Sequence, residues 1–155
     1  MTANVFVIGI GSTLRGDDAL GRIAACLLRE RLDSQRVRVL DQSSLLPELA
    51  AVIAGASLVL VLDASVDGPP GEVIVRRESS ESADPAGHAC SVSMLLQLTQ
   101  QLYGTAPPLY SVRCRVPMFQ CADYRLSAEA ERACAQMVDC VVRLLQDQSA
   151  LADPP

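Results

Sequence analysis

The chain has no tryptophan, two phenylalanines and three tyrosines in 155 residues. Its core must therefore be built from Leu, Val, Ile and Ala, which the 50% hydrophobic content supplies. No apolar run reaches the ~18 residues needed to cross a bilayer. The longest, Ala50 to Leu62, is interrupted by Gly55 and Ser57 and stops at Asp63. The N-terminus lacks the basic stretch and long apolar segment of a signal peptide, so a cytoplasmic location is expected, with no membrane contact. Positive charge is also short: 13 basic residues against 18 acidic give a net charge of −5. That argues against nucleic acid or an anionic lipid surface as the main partner. No C-x-x-C pair occurs among the six cysteines (26, 90, 114, 121, 134 and 140). They are expected to be reduced thiols, with Cys26, Cys134 and Cys140 as small core residues in helical apolar patterns. There is one histidine, His88, so any chemistry that needs an imidazole must use it.

What is present alternates between two periodicities. Asn4–Ile10 and Ser57–Ala64 are continuous β-rich runs, as expected of strands buried on both faces. Arg36–Asp41 alternates as a strand. Glu72–Arg76 is a short strand after the turn Asp67–Gly71, too close to Ser57–Ala64 for a parallel crossover and so expected to run antiparallel to it. A fifth strand falls within Pro108–Val116. Helical stripes follow the first, second and fourth of these spans and close the chain: Leu20–Leu32, Leu45–Ile53 with Pro47 in its first turn, Val92–Leu102, and a long last helix capped by Ser127 with Ala130, Ala133, Cys134, Met137, Val138, Val141 and Leu145 on one face. Residues Glu78–Gly87 and Met118–Arg125 read as loops. This order predicts a three-layer α/β/α sandwich around a mainly parallel five-stranded sheet with one antiparallel strand. It occupies a single domain over residues 1–149, followed by a frayed tail over 150–155.

Ligands of such sheets bind beyond the carboxyl ends of the strands. Asp18 follows the first strand, Asp63 ends the third, and His88 precedes the third helix. An Asp after five buried apolar residues is costly unless paired or functional. Two carboxylates and an imidazole suit a divalent metal with open positions, or a metal-free proton-transfer set. Asp17 and Asp18 also stand where helix N-caps belong, and Asp17 is expected to point away and cap its helix. Gly9-Ile-Gly11 begins like a dinucleotide fingerprint, but Leu14 occupies the third glycine's place. There is no G-x-S-x-G nucleophile elbow. His88 and Cys90 are too close in sequence to meet readily as a Cys–His pair. Arg113 and Arg115 share a face of the fifth strand, expected to be a solvent-facing edge.

Several blocks, in order along nearly the whole chain, resemble the hydrogenase maturation proteases. They are Gly9-Ile-Gly11-Ser12-Thr-Leu14-Arg-Gly-Asp17-Asp18-Ala-Leu-Gly21, Asp63-Ala64 with Pro70-Gly71 after it, Gly87-His88 before a Leu-rich helix, and Leu126-Ser127 opening the last helix. The resemblance implies an endopeptidase that trims the C-terminal extension from a [NiFe]-hydrogenase large-subunit precursor after nickel insertion; a monomer is expected. It implies Asp18, Asp63 and His88 as the catalytic and metal-contacting residues, with nickel supplied by the substrate and no organic cofactor. Asp41-Gln-Ser-Ser44 stands where many members have an Asp-Gly-Gly-Thr loop, and the stretch Gln42–Ala50, with its Leu-Pro-Glu-Leu core, looks more like the branch serving cytoplasmic NAD-linked hydrogenases. A nickel-holding metallochaperone of hydrogenase assembly is the alternative from another functional class, and a nucleotide-binding protein is the third.

Overall fold

The computed structural model describes residues 4–82, 90–117 and 125–147. Its elements are β1 (Val5–Ile10), a 3₁₀ turn (Gly16–Ala19), α1 (Leu20–Arg31), β2 (Val37–Gln42), α2 (Leu49–Ile53), β3 (Leu58–Pro70), β4 (Val73–Arg77), a second 3₁₀ turn (Ser80–Ser82), α3 (Val92–Tyr103), β5 (Leu109–Arg115) and α4 (Ala128–Gln146). The strands form one sheet in the order β2-β1-β3-β5-β4. All neighbours are parallel except β4, which pairs antiparallel with β5. The expected mixed sheet is therefore present.

Strand alternation divides the core into two layers. Val5, Val7, Leu58, Leu60 and Leu62 face α1 and α4, where Leu20, Ala24, Leu28, Met137 and Val141 close over them. Phe6, Ile8, Val59 and Val61 face α2 and α3, against Leu49, Ile53, Leu95 and Leu96. Both faces of β1 and β3 are thus covered, which is why their sequences read as unbroken apolar runs.

Three local expectations are corrected. The turn expected at Asp67–Gly71 is not one: β3 runs on to Pro70, with a register shift between Ser65 and Pro70. Ser65 holds this irregularity, its Oγ bonding both the carbonyl and the N–H of Asp67. The chain reverses only at Gly71, with φ of 73°. β4 runs antiparallel to β3, as expected, and pairs with β5, because β1 and β5 already occupy both edges of β3. α2 begins at Leu49, the residues before it forming i→i+3 turns from Leu46 and Pro47 carbonyls. Cys26 and Leu27 are exposed. The core stripe of α1 is Leu20, Ala24 and Leu28, and Cys26, two residues from Ala24 and so about 200° around the helix, falls on the far side. Cys134 is buried and Cys140 half-buried.

Candidate functional site

The site is organised by glycines that allow backbone to approach backbone. A Cβ on Gly9 would lie 2.2 Å from the Gly21 carbonyl oxygen, and one on Gly21 would lie 2.1 Å from that of Leu62. Gly11, at φ of 141°, would place a Cβ 1.8 Å from the Asp18 carbonyl oxygen. The start of α1 is thereby pressed onto the carboxyl ends of β1 and β3. This brings the 3₁₀ turn that carries Asp18 beside the strand that carries Asp63.

Asp18 is half-buried, and its Oδ2 accepts the Ser12 backbone N–H at 2.8 Å. That bond ties the carboxylate to the loop leaving β1. Asp63 is half-buried on the α2/α3 face of β3. Desolvation pushes its carboxyl up from 3.8 to about 7. The neighbouring Arg113 guanidinium and the Ala64 backbone N–H oppose the rise, and the negative charge of Asp18 adds to it. Two acids share one sheet edge, and one of them exchanges its proton near neutral pH.

His88 lies outside the described residues, as do Cys121 and the tail after residue 147. Among the described residues no three His, Cys, Asp or Glu side chains form a metal-holding group. The donors present are the two carboxylates. They suit a hard or borderline divalent ion in a site with positions left open, not a closed structural centre.

Asp17 does point away from Asp18, but it does not cap its own helix. It is 1% exposed and accepts from Ser127, from the backbone N–H at 2.7 Å and from Oγ at 2.8 Å. Ser127 Oγ in turn accepts the Ala130 N–H and caps α4. The adjacent acids thus have separate structural surroundings. Asp18 faces the sheet edge, and Asp17 joins the first loop to the last helix across 110 residues of sequence.

Two further polar groups bear on the site. Arg113 is not on an edge: β5 lies between β3 and β4, and Arg113 is the register partner of Asp63. Its Nε is buried with no hydrogen-bond partner, as is Gln42 Oε1 at the end of β2. The stretch before Arg113, Leu109-Tyr-Ser-Val112, is broken by Ser111, so the sequence marks Arg113 less clearly than the unbroken run Leu58–Leu62 marks Asp63. Asp41 is occupied elsewhere, paired with Arg29 at 2.7 Å and Arg22 at 3.2 Å. The bond from Arg29 is the main cause holding its carboxyl below the usual value.

No protein-family model and no curated protein matches this chain. Solved structures do. The hydrogenase maturating endopeptidase HybD from E. coli superposes with a TM-score of 0.79 at 20% identity, over 96% of this chain and 94% of that one. The [NiFe] hydrogenase maturation protease HycI from Thermococcus kodakarensis gives a TM-score of 0.77 at 20% identity, over 94% of each chain. A hydrogenase 2 maturation peptidase from a Thaumarchaeota archaeon gives 0.71 at 24% identity, over 92% of this chain and 98% of that one. The overall fold is shared with these proteins.

Proposed function

We propose that the chain is a processing endopeptidase that removes the C-terminal extension of a [NiFe]-hydrogenase large-subunit precursor. The observation that carries the reading is the pair Asp18 and Asp63 at the adjoining carboxyl ends of β1 and β3, with Asp63 titrating near 7. Support comes from a fold shared end to end with solved maturation proteases.

The chemistry follows from the residues. Hydrolysis of a peptide bond needs water activated at one stage and a leaving amine protonated at another. A carboxyl with a pKa of about 7 has comparable populations of both forms at neutral pH, so Asp63 can take a proton from water and return it. Asp18 is held on the same sheet edge by the Ser12 N–H, which fixes the position of its carboxylate. We assign His88 as the third member of the set. Nickel belongs to the substrate in this reading: a divalent ion brought in with the precursor supplies Lewis-acid polarisation, and Asp18, Asp63 and His88 are the residues that would contact it. The partner is the precursor large subunit, and the branch serving cytoplasmic NAD-linked enzymes is our assignment from the Asp41–Ala50 segment. We assign the protein as a cytoplasmic monomer. Among the described residues no helix is long and apolar enough to cross a membrane.

The test is to mix the protein with its precursor large subunit, with and without nickel, and weigh the products. A large subunit shortened at its C-terminus, formed only from the nickel-loaded precursor, is the expected result. Tight nickel retention by the protein with no change in precursor mass would overturn it in favour of the metallochaperone.

A further inference from the structure

A hollow of about 210 Å³ is lined by Arg113, the register partner of Asp63, and opens on the α2/α3 face of the sheet. Strand alternation builds it: Ser65 on β3, Ser111, Arg113 and Arg115 on β5, and Ile74 and Arg76 on β4 all project to the α2/α3 side. Larger hollows lie elsewhere. One of about 650 Å³ is at the opposite, amino end of the sheet, and one of about 490 Å³ lies between α1 and α4. Neither borders Asp18 or Asp63.

The charge in the small hollow is unbalanced. Three arginines line it, Arg76, Arg113 and Arg115, against two acids, Asp67 and Glu72. None of the three makes an ion pair among the described residues. Arg115 donates only to the Gly68 carbonyl oxygen, at 3.2 Å. Arg113 leaves a buried Nε without any acceptor, which is a cost unless a ligand supplies one. Ser111 contributes nothing to a ligand, since its hydroxyl donates to the Glu78 carboxylate. All 13 basic residues of the chain are arginine, whose planar fork matches a carboxylate in two-point contact.

We propose that this hollow is a carboxylate-binding subsite that anchors the peptide being cleaved, with Arg76, Arg113 and Arg115 as its donors. The inference rests on the endopeptidase reading. Arg113 and Asp63 are register partners on adjacent strands, which lie about 4.8 Å apart. A carboxylate held by Arg113 therefore fixes the chain within a few residues of the bond that Asp63 attends. The carboxylate is either the free chain end of the extension or an acidic side chain within it.

The test uses a synthetic peptide reproducing the precursor's C-terminal extension, in three forms: free acid, C-terminal amide, and with Asp and Glu replaced by Asn and Gln. Binding to the intact protein is measured by calorimetry, and cleavage of the loaded precursor in parallel. The free acid should bind, and one neutralised form should bind on the order of tenfold more weakly, identifying which carboxylate is read. Arg76→Gln, a change at an exposed residue with no partner, should weaken binding similarly, raising KM with kcat nearly unchanged. Arg113→Gln should weaken binding of the free acid and leave that of the neutralised form unchanged, which a purely structural role would not do. Equal binding of all three peptides, or wild-type KM in the Arg76→Gln/Arg113→Gln double variant, would overturn the subsite. If the free acid binds selectively but the precursor is never cleaved, the subsite stands and the endopeptidase reading falls.

Discussion

Replacing Asp63 with Asn should abolish processing and at the same time stabilise the fold. The carboxyl titrates at 3.8 when solvated and at about 7 in the folded protein. Below about pH 4 it is protonated in both states and costs nothing. Between about 4 and 7 the folded state keeps a proton that the unfolded chain releases, so stability falls as pH rises; above about 7 the cost is complete. The rise spans about three decades of proton affinity at about 1.36 kcal/mol each, a ceiling of about 4 kcal/mol. Asp63 keeps some exposure to water, and an amide must replace its hydrogen bonds, so about 2 kcal/mol is expected at pH 8 and close to zero at pH 4.5. Urea unfolding of both proteins at three pH values reads this directly, with unchanged slopes showing that the same surface unfolds. A variant no more stable than wild type at pH 8, or one whose advantage is the same at both extremes, would refute the desolvation argument. Full cleavage of nickel-loaded precursor by the variant would remove Asp63 from the chemistry.

Asp17→Ala should cost about 3 kcal/mol in the same unfolding assay, because it strands a buried N–H and loosens the cap of α4; a loss under about 0.5 kcal/mol would show that water replaces the carboxylate. Gly21→Ala should destabilise by about 3 kcal/mol or prevent folding, since its Cβ meets the Leu62 carbonyl, whereas Gly55→Ala, with nothing within 4 Å, should stay within about 0.5 kcal/mol of wild type. Similar melting temperatures for the two variants would contradict the close approach of α1 to β3. Cys90→Ser should leave most of the processing activity, because burial raises this thiol's pKa and works against a thiolate nucleophile. A loss of more than ~100-fold with the fold intact would restore cysteine chemistry to consideration.

The elements were readable where the apolar pattern was strong. β1, the core stretch of β3 and α4 carry runs that only one burial scheme satisfies, and they lie close to where the pattern puts them. The weaker segments went astray for local reasons. Gly-Pro-Pro-Gly looks like a turn, yet Pro70 takes a position opposite Arg115 because a bulge absorbs the intervening residues. Cys26 and Leu27 fit a loose helical stripe, but the tight approach of Gly21 to β3 sets the rotation of α1 and turns both outward. Asp63 stood out because an acid ending a buried run is anomalous. Asp17 and Asp18 were equivalent on paper, and their division of labour depends on Ser127, which no local pattern connects to them.

Taken alone, the sequence determined the order of strands and helices, their mostly parallel arrangement, and the residues able to carry acid–base chemistry at one sheet edge. These follow from short-range periodicity and from the high cost of burying charge. The tertiary structure decided the position of β4, since strand pairing depends on which edges other strands have already filled. It also set the proton affinity of Asp63, because desolvation and the opposing charges of Arg113 and Asp18 depend on side chains about 50 residues away in either direction along the chain. The arginine-lined hollow exists for the same reason: its three arginines come from two strands that meet only in the folded sheet.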